Sequence, residues 1–182
     1  MTVQILLVSH AMTKWNMDGR IQGNTDIPLN SQGRKMAVLL SNQLAKETLH
    51  AIYTSDLKRA FQTAEPIARQ KCLQIIQNID LREGRSINQE RSAVYPTLPF
   101  SREIETQRDV SLRMTAALSR IALSHEDQTV LVVSHGGAVE IFIIQVLETS
   151  GEPALRYQGI RMAVNRIFYG SGSWHCLGLN EV

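Results

Sequence analysis

Two apolar runs in this chain end in nearly the same way. Ile5-Leu6-Leu7-Val8 leads into Ser9-His10-Ala11, and Val130-Leu131-Val132-Val133 leads into Ser134-His135-Gly136. Both runs are too short for helices and apolar at every position, so they read as strands covered on both faces. Such strands belong to parallel sheets, whose crossover connections lay helices on either side. The intervening sequence supplies them. Met36, Leu39, Leu40 and Leu44 follow helical spacing after Ser31 as a cap. Ala51 to Tyr53 and Leu73 to Ile76 are short strand candidates, and Leu57 to Lys71 is a helix that Pro66 should kink or interrupt. Val110, Met114, Ala117, Leu118 and Ile121 mark one face of a further helix. Gly137 to Leu147, apolar all round, is a helix inside the fold, and Ala163–Tyr169 with Trp174–Leu179 form a terminal hairpin.

The expected architecture is therefore α/β, a three-layer α/β/α sandwich with a mostly parallel central sheet. At 182 residues and 43% hydrophobic content, residues 1–182 suffice for a single domain around one core. Periodicity disappears between about residues 84 and 109, where Pro96, Pro99 and many charges predict an irregular, lid-like excursion.

Composition removes several function classes. The 19 basic and 17 acidic residues are interspersed, which argues against nucleic acid or an anionic membrane as partner. No apolar run approaches the roughly 20 residues that cross a bilayer. Val8 leads straight into Ser9 and His10 without the pattern of a secretory leader, so a cytoplasmic location is expected. Cys72 and Cys176, with no CxxC pair, read as packing residues rather than a bridge or a zinc site.

Ligands of open parallel sheets sit beyond the carboxyl ends of the strands, where His10 and His135 fall. A neutral imidazole can attack phosphorus if a backbone carbonyl holds its other nitrogen, and a second, protonated imidazole can stabilise the equatorial oxygens. That chemistry requires no metal and no cofactor. It requires a cation, for which Arg59 at the start of a helix is the candidate, and a proton donor, for which Glu83 is the candidate. The ligand would be a small phosphorylated substrate or inorganic phosphate.

Six ordered blocks sharpen this reading. They are His10 with Thr13-Lys14-Trp15-Asn16; Gly19 to Leu29 with the later Gly33; Ser55-Asp56-Leu57-Lys58-Arg59-Ala60; Gln62-Thr63-Ala64; Leu81-Arg82-Glu83; and Val133-Ser134-His135-Gly136-Gly137. In these the chain resembles the histidine phosphatase superfamily, the phosphoglycerate mutase-like proteins, over nearly its whole length. Asn165 and Leu179-Asn180 resemble the closing strands of that family. The resemblance implies a nucleophilic His10 that becomes phosphohistidine, with His135 and Arg59 binding the phosphoryl group and Glu83 donating the proton. It also implies that Asn16, Gln22 and Gly23 line the substrate pocket, together with Ser9, Ala11 and Gly136 around the histidines.

Three departures stand out. The family's arginine before the nucleophile is Ser9 here, its glycine after the nucleophile is Ala11, and its acidic residue before the threonine is Met12. A guanidinium fork contributes about 1.5 to 3 kcal/mol per charge-assisted bond, and a serine supplies one neutral bond. Lys14, Arg20 and Arg85 are the loop cations that would have to replace it. Two functions follow from this pattern: phosphomonoester hydrolysis through phosphohistidine, weakened or altered, or a catalytically inactive phosphate-binding or regulatory relative on the same fold. The short excursion after Glu83 favours a phosphatase over a mutase, which must hold its intermediate under a fuller lid.

Overall fold

A computed structural model of the chain describes residues 2–84, 105–151 and 157–181. Its centre is a six-stranded sheet in the order β3-β2-β4-β1-β5-β6. The strands are β1 (Thr2–Ser9), β2 (Ala51–Thr54), β3 (Ile75–Gln77), β4 (Thr129–Ser134), β5 (Val164–Gly170) and β6 (Ser173–Glu181). Pairs β1–β4, β2–β4 and β2–β3 are parallel, whereas β5 runs antiparallel to both β1 and β6. The sheet is thus mostly parallel with one reversed strand.

Alternation along β1 builds the two outer layers. Leu6 and Val8 join Leu131 and Val133 of β4 against α2 (Ser31–Gln43) and α3 (Lys58–Lys71). Ile5 and Leu7 join Val130 and Val132 on the opposite face, against α4 (Gln107–Leu123) and α5 (Gly136–Thr149). Burying each such side chain stabilises the fold by about 1.5 to 3 kcal/mol. A four-residue helix, α1 (Lys14–Met17), lies in the loop after β1.

Several expected boundaries shift. Asn30, not Ser31, caps α2, its side chain accepting from Gly33 N at 2.7 Å. Leu39 is 65% exposed, and Ala37 takes its place on the buried face. The helix over 58–71 continues through Pro66, because Ala60, Ala64, Ile67 and Ala68 pack into the core on both sides of it. The excursion expected over 84–109 ends earlier: Thr106 caps α4 in a reciprocal box with Asp109, so helix begins at Gln107. Residues 85–104, where the lid is expected, lie outside the described residues. Cys72 is exposed and Cys176 half-buried, and both are free thiols. Among the described residues no helix is long and apolar enough to cross a membrane.

Candidate active site

Parallel pairing puts Ser9 opposite Ser134, and the His10 backbone N–H donates to Ser134 O at 2.9 Å, so both histidines leave the sheet side by side. Their ring centroids are 5.2 Å apart at 64°. His10 Nδ1 lies 2.7 Å from Ala11 O. A carbonyl can only accept, so the proton sits on Nδ1 and the Nε2 lone pair is left for attack. Burial, with the Arg59 charge, lowers the His10 pKa to about 3, so the ring is neutral near pH 7.

His135 is the opposite tautomer. Arg59 Nε donates to its Nδ1 at 3.2 Å, which leaves the proton on Nε2. That Nε2 is fully buried and has no hydrogen-bond partner among the described residues, a donor suited to an oxyanion. Burial and then Arg59 hold its pKa well below the ordinary value. The protonated imidazole expected here is thus replaced by a neutral N–H donor, since a second charge beside a buried guanidinium is disfavoured.

Arg59 is fully buried in the first turn of α3. Besides His135 it donates to Thr25 O at 2.7 Å and to Gly23 O, committing three of a guanidinium's five donors. It therefore orders the 23–25 loop and the second histidine as well as supplying charge. Burial lowers its pKa to about 10, leaving it charged at neutral pH.

Glu83 reaches the site from the segment after β3. Its Oε1 accepts from Ala138 N in the first turn of α5 at 3.1 Å. A Cβ on Gly137 would lie 2.9 Å from the same oxygen, so glycine permits this approach. Burial raises the Glu83 pKa, opposed by the Arg59 charge and by the backbone N–H groups of 84, 137 and 138. A carboxyl raised in this way holds a proton more readily than a solvated one. Its backbone is clamped: Ser134 Oγ donates to Leu81 O at 2.8 Å, and Arg113 Nη1 donates to Asp80 O at 2.7 Å and Arg82 O at 3.0 Å. Arg82 in turn pairs with Asp56, Nε to Oδ1 at 2.7 Å.

His10 and Glu83 border a cleft of about 410 Å³ whose walls also include Asn16, Gln22, Gly23 and Gly136, with His135 and Arg59 buried outside its lining. Asn16 and Gln22 are tied together through Thr13, whose Oγ1 accepts from Asn16 N at 3.1 Å and donates to Gln22 Oε1 at 2.9 Å. Ser9 and Ala11, expected to contact the ligand, do not line it. Ser9 Oγ accepts from Met162 N at 3.3 Å, and Ala11 is buried against Leu29 and Ala37. Ala11 has no positive φ, so the chain takes alanine here without backbone strain. Its N–H donates to Thr63 Oγ1 at 3.0 Å, and that hydroxyl donates to Arg59 O at 2.7 Å.

The loop cations also differ from expectation. Lys14 is exposed and pairs with Asp18 at 3.3 Å, and Arg85 lies outside the described residues. Arg20 lines the cleft with its guanidinium 3.8 Å from the centroid of the Trp15 ring. Arg161, which sequence spacing does not single out, is in the cleft wall with His10 and Glu83. A more open hollow at the amino ends of β1 and β4, lined by residues such as Gln4, Asp127 and Phe168, contains no histidine or cation.

Known proteins share this arrangement of chain. The family model of the histidine phosphatase superfamily (branch 1) matches residues 5–182. A metal-independent phosphoserine phosphatase of Arabidopsis thaliana is 31% identical over 94% of this chain and 78% of its own. A probable phosphoglycerate mutase, GpmB of Proteus mirabilis, is 30% identical over 94% of this chain and 87% of its own. The structure of Bacillus stearothermophilus YhfR superposes with a TM-score of 0.83 at 27% identity, covering 99% of this chain and 98% of that one. With a match from β1 to the last strand, this chain belongs to the histidine phosphatase superfamily.

Proposed function

We propose that this protein hydrolyses small phosphomonoesters through a phosphohistidine on His10. The observation that carries the proposal is the pair of complementary tautomers on adjacent rings: a lone pair on Nε2 of His10 in the cleft wall, and an N–H on the buried Nε2 of His135. In the first step His10 Nε2 attacks phosphorus, the bond from phosphorus to the ester oxygen breaks, and Glu83 gives its proton to that oxygen. The alcohol leaves and phosphohistidine remains. In the second step water attacks phosphorus, Glu83 takes the proton, the N–P bond breaks, and phosphate leaves with His10 restored. His135 Nε2–H and the positive charge of Arg59 stabilise the charge that spreads over the equatorial oxygens.

The relatives described as a phosphoserine phosphatase and as a probable phosphoglycerate mutase support phosphoryl transfer, with water as the acceptor in this reading. Purified protein should release phosphate from an aryl phosphate, and His10→Ala should lower kcat roughly ten-thousandfold or more. Equal rates in the two proteins would exclude it. Phosphate binding without turnover would instead favour the regulatory reading that Ser9 motivates.

A further inference from the structure

Sheet topology, rather than loop sequence, brings a second cation to the nucleophile. Because β5 is the reversed strand, its beginning lies at the carboxyl end of β1, where Leu7 pairs with Asn165. Before β5 the chain turns, and Met162 comes beside Ser9. The chain is held there by the bond from Met162 N to Ser9 Oγ at 3.3 Å. Met162 has φ of 67°, a left-handed conformation that costs a non-glycine residue about 1 to 3 kcal/mol and needs support from its surroundings. The residue before it, Arg161, reaches the cleft wall shared by His10 and Glu83.

We propose that Arg161 binds the phosphoryl group, and that Ser9 is the positioning residue that holds Arg161 at the cleft. Among the described residues lining the cleft, the arginines are Arg20 and Arg161, and Arg20 is stacked on Trp15. Arg59 is buried behind the histidines with three donors committed to the protein. Arg161 is exposed, and its positive charge is felt at His10, while the Glu83 carboxylate is felt at Arg161. Ser9 thus supplies a hydroxyl acceptor that anchors the turn carrying this guanidinium.

This inference rests on the phosphoryl site at His10, but phosphate affinity tests it without turnover. Titration of the intact protein with inorganic phosphate should show binding that weakens about 10- to 100-fold in Arg161→Ala, as loss of one charged donor implies. Arg161→Lys should retain part of the affinity. Ser9→Ala should weaken binding less, and the double variant Ser9→Ala with Arg161→Ala should be no worse than Arg161→Ala alone, the mark of residues acting as a unit. Unchanged affinity in Arg161→Ala, no phosphate binding by the unsubstituted protein, or additive losses at 9 and 161 would each overturn the proposal. Phosphate binding that depends on Arg161, in a protein that hydrolyses no aryl phosphate, would uphold it and refute the hydrolytic reading alone.

Discussion

The carboxyl ends of β1 and β4 carry the same tripeptide, Val-Ser-His, lie in register, and do opposite things. Ser9 accepts a hydrogen bond from Met162 N, whereas Ser134 donates one to Leu81 O. His10 gives its Nδ1 proton to the carbonyl of the next residue, whereas His135 receives one at Nδ1 from Arg59. One imidazole is left with a lone pair and the other with an N–H at the same ring atom. The comparison teaches that the shared tripeptide placed two imidazoles and did not assign their roles. The Ala11 carbonyl assigned that of His10, and Arg59 of α3 assigned that of His135.

The sharpest way to break the comparison is to remove the acid that the β4 end holds in place. Glu83→Gln should lower kcat by about 10² to 10⁴ on alkyl phosphates, whose leaving oxygen needs a proton. Aryl phosphates, with better leaving groups, should suffer much less. Equal losses on both, measured by steady-state kinetics, would show that Glu83 does not protonate the leaving group.

A smaller effect separates the two ends as supports. Ser134→Ala leaves Leu81 O unpaired, and Thr63→Val leaves the Ala11 N–H unpaired, each a buried group whose loss costs about 1 to 3 kcal/mol. Urea denaturation should show similar stability losses for the two. Their kinetics should differ: Ser134→Ala should change the pH dependence of kcat through Glu83, and Thr63→Val should act through His10 and Arg59. Identical pH profiles would contradict that division.

The smallest effect is a slope. The folded pKa of His10 is about 3 against an ordinary 6.5, so the unfolded chain binds a proton in this range that the folded protein refuses. Stability from this residue is complete above pH 6.5 and falls as pH drops toward 3, by about 1.4 kcal/mol per pH unit. His135, also held low, adds in the same direction. Denaturation midpoints between pH 6.5 and 4.5 should therefore decline less steeply in His10→Asn than in the unsubstituted protein. Parallel slopes would place the acid sensitivity elsewhere.

Much of this could be anticipated residue by residue. The apolar runs at 5–8 and 130–133 and the face formed by Val110, Met114, Leu118 and Ile121 are buried where their periods put them. Short-range chemistry was harder to read: Asn30 and Ser31 are both competent caps, and only the helix direction relative to Gly33 N chose Asn30. At the candidate site, His10 and Glu83 line one cleft, His135 and Arg59 are buried behind its wall, and Ser9 and Ala11 turn away from it. Thr63, Arg113 and Ser134 left no signal of their supporting bonds, since polar residues on helices and strands are ordinarily solvated. Lys14 and Arg20 were nearer the nucleophile in sequence than Arg161, yet Lys14 pairs with Asp18 and Arg20 stacks on Trp15.

By itself, the sequence determined which segments are strands and helices, that two histidines leave buried strands at equivalent points, and that position 9 lacks a guanidinium. Those properties follow from side-chain period and residue type, which act over a few residues. Only the tertiary structure decided that Arg59 meets His135 Nδ1, which leaves that ring's proton on Nε2, and that the turn before β5 reaches Ser9. Those depend on hydrogen bonds and strand neighbours separated by tens of residues, with partners set by strand order and direction.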